Sequence, residues 1–200
     1  MKHAIVFSHP NDRSFTASAA QAYAKACEAL GHKIIVRDLY RLGFDPCLKS
    51  AELPFNPDFR PGPEVITERG HLEDSDTFVF FYPLWLNSPP AMIKGYWERV
   101  FGFGFAYGAG GHSYTPLLTG RKMISFSSSG APASWMQESG NLPAVRTLFD
   151  NSFAAVCGMR VLDHVHFGGV TPNASEPFVQ ARLDEVQQVV TRHFGRKACH

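Results

Sequence analysis

Three short segments of this 200-residue chain carry residue types suited to holding a ligand. The first is Ser8-His9-Pro10-Asn11-Asp12-Arg13-Ser14-Phe15-Thr16, which runs into an Ala-rich stretch of helical character. A helix N-terminus offers unpaired N–H groups and a positive dipole end to a phosphate, and Arg13, Ser14 and Thr16 could add charge and hydroxyls. The same residues also describe an ordinary capped helix start, and Asp12 would repel a phosphate unless it caps the helix or points away. There is no GxGxxG, so the dinucleotide fingerprint is absent. The second segment is Tyr82-Pro83-Leu84-Trp85-Leu86-Asn87-Ser88-Pro89-Pro90. Its prolines fix φ and stiffen the backbone. A flat heteroaromatic ring could lie there, stacked or hydrogen-bonded to rigid amides; an apolar plug over a sheet end is the alternative. In the third, Ser127-Ser128-Ser129-Gly130-Ala131-Pro132, small residues let a ligand approach backbone N–H groups, or simply form a polar turn.

Other reactive side chains carry weaker signals. His164 and His166 alternate as on a strand, but no carboxylate or Cys joins them at ligand spacing, so no metal site is expected. Cys27, Cys47, Cys157 and Cys199 form no CxxC and no zinc pattern; they read as reduced thiols of a cytoplasmic protein, with Cys157 in a core helix. Ser127 to Ser129 lack the GxSxG elbow of a serine nucleophile. Met123, Met136 and Met159 read as packing, and His193 and His200 as solvated.

These segments must be positioned by a folded core. The chain is long enough to bury one without staples, and residues 1–200 read as a single domain. Formal net charge is +1 with both signs interspersed, which gives no footprint for nucleic acid or an anionic membrane. Seventeen Phe residues suit a large core plus a flat-ligand pocket or an apolar dimer interface. No signal-peptide pattern opens the chain, and no apolar run is long enough for a membrane span.

Buried-strand patterns fall at Ala4–Phe7, Lys33–Arg37, Thr77–Phe81, Lys122–Phe126 and Met159–Val165. Helical patterns cover Phe15–Leu30, with Asp12 or Ser14 as N-cap and Gly31 beyond the end, and Val65–Glu73. A third starts at Ser88 as N-cap with Pro89 at the first helical position and continues to Phe101. Leu142–Val156 and Val179–Val190 supply two more. Tyr40–Gly62 and Phe103–Thr119 read as long loops. Strands alternating with helices predict a parallel sheet covered on both faces. Five strands favour the order 2-1-3-4-5, in which ligands bind at the carboxyl ends of strands where the order reverses. The loops after strands one, three and four are those loops.

On these segments the chain resembles the flavodoxin-like NAD(P)H:quinone oxidoreductases, the DT-diaphorase type and its bacterial relatives. The resemblance is carried by Ser8-His9-Pro10 with Ser14-Phe15-Thr16, by Asp76–Phe81 into Tyr82-Pro83-Leu84-Trp85, by Pro89–Phe101, and by Gly104-Phe105-Ala106-Tyr107-Gly108, in the family's order. It implies that His9, Ser14, Phe15 and Thr16 hold the phosphate and ribityl region of a flavin. Pro83, Leu84, Trp85 and Leu86 would flank its ring, and Ser127, Ser128, Ser129 and Gly130 its other edge. Asn87, Tyr107, Trp135 and Asn141 would belong to the substrate pocket, Tyr107 in that of the partner subunit of a homodimer. FAD is the expected flavin, FMN the alternative, with NAD(P)H as co-substrate and a quinone or similar small acceptor.

The chain also departs from that pattern. A pair of glycines is Ser129-Gly130 here, a second aromatic after Tyr107 is Ala109, and Trp135 and Asn141 stand where a Tyr and a His assist the flavin in animal members. The substrate pocket is therefore altered and that proton-donating pair is missing. Protons for the acceptor are expected from water, with flavin reduction varying little between about pH 6 and 8. Two other functions fit the same fold: a flavodoxin-type electron carrier, which would usually be strongly acidic, and a regulatory subunit of a membrane transporter.

Overall fold

The computed structural model describes residues 1–110 and 113–195. Cys199 and His200 lie outside them. Five parallel strands form one sheet, β1 (Lys2–Phe7), β2 (Lys33–Asp38), β3 (Thr77–Pro83), β6 (Lys122–Ser128) and β7 (Arg160–Phe167), in the spatial order β2-β1-β3-β6-β7. This is the flavodoxin-like α/β arrangement. Counted within the sheet this is the order 2-1-3-4-5; counted along the chain it is 2-1-3-6-7, because an additional pair intervenes. Tyr107–Gly110 (β4) and Ser113–Pro116 (β5) form an antiparallel hairpin outside the sheet, inside the stretch read as a loop. Alternating Tyr, Gly and Ser gives little apolar periodicity there, so the pattern concealed it.

Each central strand buries both faces. Val79 and Phe81 of β3 join Ile5, Ile124 and Phe126 in a layer closed by α1 (Phe15–Ala29) and α7 (Glu176–Phe194). Phe78, Phe80 and Tyr82 face the other way, onto Ile93, Trp97 and Phe101 of α3 (Ala91–Arg99) and its C-terminal turn. Edge-to-face rings fill this second layer: Phe80 meets Trp97 at 5.3 Å between centroids and Phe101 at 5.7 Å. Much of the Phe content is thus core. Alanines on α1 let that helix lie close to the sheet, and Ser14 caps it by accepting from the Ala17 amide.

Two helix readings are corrected. Ser88 does not cap α3. It closes a tight turn with Trp85, Trp85 N–H to Ser88 O at 3.0 Å and Ser88 N–H to Trp85 O at 3.1 Å, and Pro90 occupies the cap position. The stretch 142–156 is not one α-helix. It consists of α5 (Asn141–Val145), a π-helical segment Arg146–Asn151 and α6 (Ser152–Cys157), preceded by α4 (Ala133–Glu138). The wider π turn brings Asp150 under the sheet; such segments recur at functional sites. The remaining helix, α2 (Pro63–Leu72), fits its sequence pattern. The long 40–62 stretch is held down by a buried pair between Glu52 and Arg99 of α3.

Strands β6 and β7 pair with one irregularity. Met123 opposes Val161 but Ile124 opposes Asp163, so Leu162 is an extra residue. From there on Ser125 faces His164 and Ser127 faces His166. A bulge of this kind turns the following side chains over.

Candidate cofactor site

A cavity of about 630 Å³ opens at the carboxyl ends of β1, β3 and β6, where the strand order reverses. Ligands bind at that position in open α/β sheets. One end is polar. Asn11, Arg13, Ser14, Thr16 and Ser18 line it around the start of α1. Ser14 spends its oxygen on the Ala17 amide. The first-turn N–H groups, the Arg13 cation and the remaining hydroxyls are the donor set a phosphate requires. Asp12 does not line the cavity; its carboxylate is turned to Arg41, 4.0 Å away. His9 Nδ1 accepts from the Asn11 N–H at 3.0 Å, which leaves the ring proton on Nε2 as a donor.

The other end is flat and stiff. Pro83, Leu84 and Trp85 form one wall; Ser128, Ser129 and Gly130 form another. The Leu84 amide donates to the Ser128 carbonyl at 2.6 Å, locking the two loops together. The His9 ring lies 5.7 Å from that of Trp85, which joins the first loop to the second. A Cβ placed on Gly130 would meet nothing nearer than the Val170 carbonyl at 3.9 Å. It would therefore project into open space rather than into packed atoms. A planar, amide-rimmed slot beside a phosphate-type end fits a flavin.

Ten of the twelve residues assigned to a cofactor line this cavity: His9, Ser14, Phe15, Thr16, Pro83, Leu84, Trp85, Ser128, Ser129 and Gly130. Leu86 does not; it is 99% exposed at the tip of the Trp85–Ser88 turn. Leu86 and Asn87 both have left-handed backbone, φ 52° and 58°. Asn tolerates that region and Leu does not, so the turn carries strain next to the site. Ser127 lies behind the wall, 1% exposed. Tyr107 lines a separate, apolar cavity of about 300 Å³ with Trp97, Leu148, Phe153 and Val156. Trp135 is half exposed on α4, and Asn141 donates to Ser139 Oγ at 2.8 Å. Neither lines the cavity with Ser129 and Gly130.

Sequence reasoning passed over the segment after β7. Val170, Thr171, Pro172 and Ala174, with Val179 of α7, complete the cavity. The available signal was Gly168-Gly169. A Cβ at Gly168 would sit 2.2 Å from the Ala133 nitrogen, so only glycine lets this segment close against the loop after β6. Gly169 N–H then donates to the Ala131 carbonyl at 2.9 Å, and Val170 N–H to the Ser129 carbonyl at 2.9 Å.

The pair His164 and His166 does have a carboxylate partner, contrary to the spacing argument. Asp150 is fourteen residues upstream of His164 and reaches its Nδ1 at 2.5 Å. Ser127 Oγ lies 2.7 Å from His164 Nε2 and 2.8 Å from His166 Nδ1; Ser129 Oγ lies 3.0 Å from His166 Nε2. These contacts are hydrogen bonds rather than a metal shell. A different trio, His3, Cys27 and His32, offers donor atoms within 4.8 Å of one another at the opposite end of β1. Burial pushes His3 down to about 4 and Cys27 up to about 12, each toward its neutral form. Cys27, Cys47 and Cys157 are free thiols. His193 is partly buried and bonds Asp163 at 3.0 Å, so it is not simply solvated. Among the described residues no helix is long and apolar enough to cross a membrane.

Residues 1–190 match the Flavodoxin_2 family, described as a flavodoxin-like fold. An uncharacterized NAD(P)H oxidoreductase of Haemophilus influenzae is 29% identical over 171 residues, covering 85% of each chain. NAD(P)H dehydrogenase [quinone] 1 of Cavia porcellus is 26% identical over 179 residues, which take in 80% of this chain but only 65% of that protein. An NAD(P)H:quinone oxidoreductase from Methanothermobacter marburgensis superposes with a TM-score of 0.83 at 23% identity, covering 100% of this chain and 99% of that one. An FMN-dependent NADH-azoreductase from Bacillus anthracis, solved in complex with FMN, gives 0.69 at 18% identity, covering 96% and 98%. A family match running almost the length of the chain, over the same strands and helices that build the cavity, makes this protein a member of the flavodoxin-like family.

Proposed function

We propose that this protein is a flavin-dependent NAD(P)H oxidoreductase that reduces a quinone or a similar small acceptor. One observation carries the reading: a single cavity joins a phosphate-type end, Arg13 to Ser18 at the start of α1, to a flat slot between Pro83–Trp85 and Ser128–Gly130. The names of the relatives, oxidoreductases of NAD(P)H and quinones, support it. A flavin held there would supply the redox chemistry, the capacity to accept and to donate a hydride. The protein's part is to bind, orient and supply dipoles. Arg13, Thr16, Ser18 and the α1 amides would hold the phosphate, His9 Nε2–H would donate to the ribityl region, and the stiff amides of the two loops would rim the ring.

Between the flavins, the continuation of the cavity past the α1 start to Pro172, Ala174 and Val179 favours FAD, which needs room beyond one phosphate. The azoreductase bound to FMN favours the shorter cofactor as the second reading. The whole of residues 1–200 works as one flavin-binding unit, as a homodimer in the cytoplasm. The near-neutral charge disfavours the electron-carrier alternative. The test is direct. Purified protein should quench flavin fluorescence on binding, and chromatography of the released cofactor should give FAD. The loaded protein should oxidise NAD(P)H with a quinone in steady state. A protein that quenches neither FAD nor FMN overturns the assignment.

A further inference from the structure

Asp150, His164, Ser127, His166 and Ser129 form an unbroken chain of hydrogen bonds from the interior to the wall of the cavity. Three features set it apart from ordinary buried polar contacts. Every link is short: 2.5, 2.7, 2.8 and 3.0 Å in order. Both imidazoles use both ring nitrogens. The anchoring carboxylate is fully engaged, since Asp150 also accepts from Ser125 Oγ at 2.7 Å. Buried polar groups on a sheet face cost stability unless satisfied, and apolar side chains of similar volume would pack there without that cost.

The first three members are arranged like a Ser-His-Asp hydrolytic triad. That reading fails on access: Ser127 is 1% exposed and His166 caps its far side. The chain continues past the serine instead, and its last member, Ser129, lines the cavity.

Hydroxyls donate one proton, so the chain has two self-consistent states. In the charged state His164 holds both ring protons against the Asp150 carboxylate. Its Nε2–H donates to Ser127 Oγ, the Ser127 hydroxyl to His166 Nδ1, and His166 Nε2–H to Ser129 Oγ. The Ser129 hydroxyl then donates to the Ala131 carbonyl, 3.0 Å away. In the neutral state His164 keeps only its Nδ1 proton and every link beyond it is reversed. The Ser129 hydroxyl now donates to His166 Nε2. The two states differ by one proton.

We propose that Asp150-His164-Ser127-His166-Ser129 is a proton relay that delivers one proton through the Ser129 hydroxyl to the acceptor being reduced in the adjoining cavity. The inference rests on the oxidoreductase reading above, whose balance requires a proton: NAD(P)H + H⁺ + quinone gives NAD(P)⁺ + hydroquinone. The hydride carries two electrons and one hydrogen, and the second hydrogen arrives as the proton. Ser129 gives its proton, His166 Nε2 replaces it, Ser127 replenishes His166 Nδ1, and His164 replenishes Ser127. Solvent refills the chain through Ser129 once the product has left.

The surroundings suit conduction. His166 is faced by His164 from its own strand and by Arg146 from the π segment, whose guanidinium donates to the His164 carbonyl at 2.9 Å. Burial, with those two neighbours, pushes His166 down to about 4, so it passes a proton without retaining one. Against His164 stand Asp150 and, from β3, the edge of the Tyr82 ring at 6.5 Å. Burial and Asp150 push Tyr82 well above its usual range, so it stays neutral.

The test cuts the chain in its middle. Ser127→Ala leaves Asp150-His164 and His166-Ser129 intact as pairs, and Ser127→Thr restores the hydroxyl. Full-length wild type and variants are loaded with flavin, reduced by NAD(P)H and mixed with a quinone in stopped flow. At about pH 8, Ser127→Ala should slow proton-coupled acceptor reduction on the order of 100-fold, the scale of a lost general acid. The deficit should shrink as pH falls and free protons substitute, and Ser127→Thr should recover most of the rate. A second readout needs no flavin: the ring ¹⁵N shifts of His166 in the apoprotein should respond to Asp150→Asn, and that response should vanish in the Ser127→Ala background. Flavin affinity by fluorescence quenching should stay unchanged throughout. A wild type that binds no flavin overturns the oxidoreductase reading and the relay with it. Normal flavin binding, with Ser127→Ala matching wild type in rate and pH dependence, overturns the relay alone. So does a His166 signal indifferent to Asp150→Asn.

Discussion

The guanidinium of Arg99 lies forked on the carboxylate of Glu52, Nε to Oε2 at 2.8 Å and Nη2 to Oε1 at 2.7 Å, with both side chains buried. Glu64 shares Nη2 at 2.5 Å and the Asp45 carbonyl accepts from Nη1 at 2.5 Å. One cation thus pins the 40–62 segment onto α3. Burial pushes the Glu52 pKa up, but Arg99 and the Lys49 and Gly62 amides outweigh it and hold the carboxyl below its usual range. Glu52→Gln should cost about 3–5 kcal/mol, toward the lower figure because Glu64 remains. A carboxyl depressed in the fold stabilises above its unfolded pKa and loses that contribution as pH falls through the folded value. Urea unfolding should therefore show a flatter acid limb for the variant; a cost under about 1 kcal/mol would mean the pair is dispensable.

Gly130→Val should empty the cavity of flavin and leave the fold intact. The new side chain starts in open space, 3.9 Å from its nearest neighbour. It would occupy the slot proposed for the flavin ring, between Pro83–Trp85 and Ser128–Gly130. Fluorescence titration reads the affinity and thermal unfolding reads the fold. Unchanged affinity would put the ring elsewhere.

His3 gives the fold a pH dependence of its own. Its Nδ1 lies 3.0 Å from the Tyr23 hydroxyl and its Nε2 3.0 Å from His32 Nδ1. Burial, then His32 and the N-terminus, lower its pKa to about 4. Between about 6.5 and that value the unfolded chain binds a proton the folded chain does not. Stability should fall as pH drops through the window, by at most about 1.4 kcal/mol per unit for this residue. His166, also lowered to about 4, adds in the same sense. Urea midpoints across the window should decline less steeply for His3→Gln, and an identical slope would acquit His3.

Light scattering should report a dimer. Phe103, Phe105 and Tyr107 are each partly buried. The apolar surface lies beside them, where half-exposed Leu148 and Val156 rim the second cavity. Val156→Asp should shift the protein toward monomer, and a wild-type monomer at working concentration would remove the homodimer from the proposal.

The sequence made the frame legible because buried strands and helix caps act locally. Ala4–Phe7 and Thr77–Phe81 are apolar on both faces, and Ser14 caps α1 as its position suggests. It also made most of the cavity legible, since a ligand at a sheet end must touch the loops that leave that end. Non-local features were hidden. The hairpin at Tyr107–Pro116 has no apolar alternation, and the π turn at Arg146–Asn151 has no composition of its own. Asp150 looked unrelated to His164 because the contact closes through that turn. Thr171 and Pro172 join the cavity only because Gly168 lets two backbones touch.

The extra residue Leu162 sets the parity of β7. With Leu162 paired regularly opposite Ile124, the strand would turn His164 and His166 to the α1–α7 side and bring Asp163 and Val165 opposite Ser125 and Ser127. Every amino acid of the chain would be retained, yet no histidine would stand between Asp150 and the cavity. The bulge, more than residue identity, therefore separates kin that can wire a carboxylate to the cavity from kin that cannot. A relative that keeps both histidines but pairs this strand without the bulge lacks the connection.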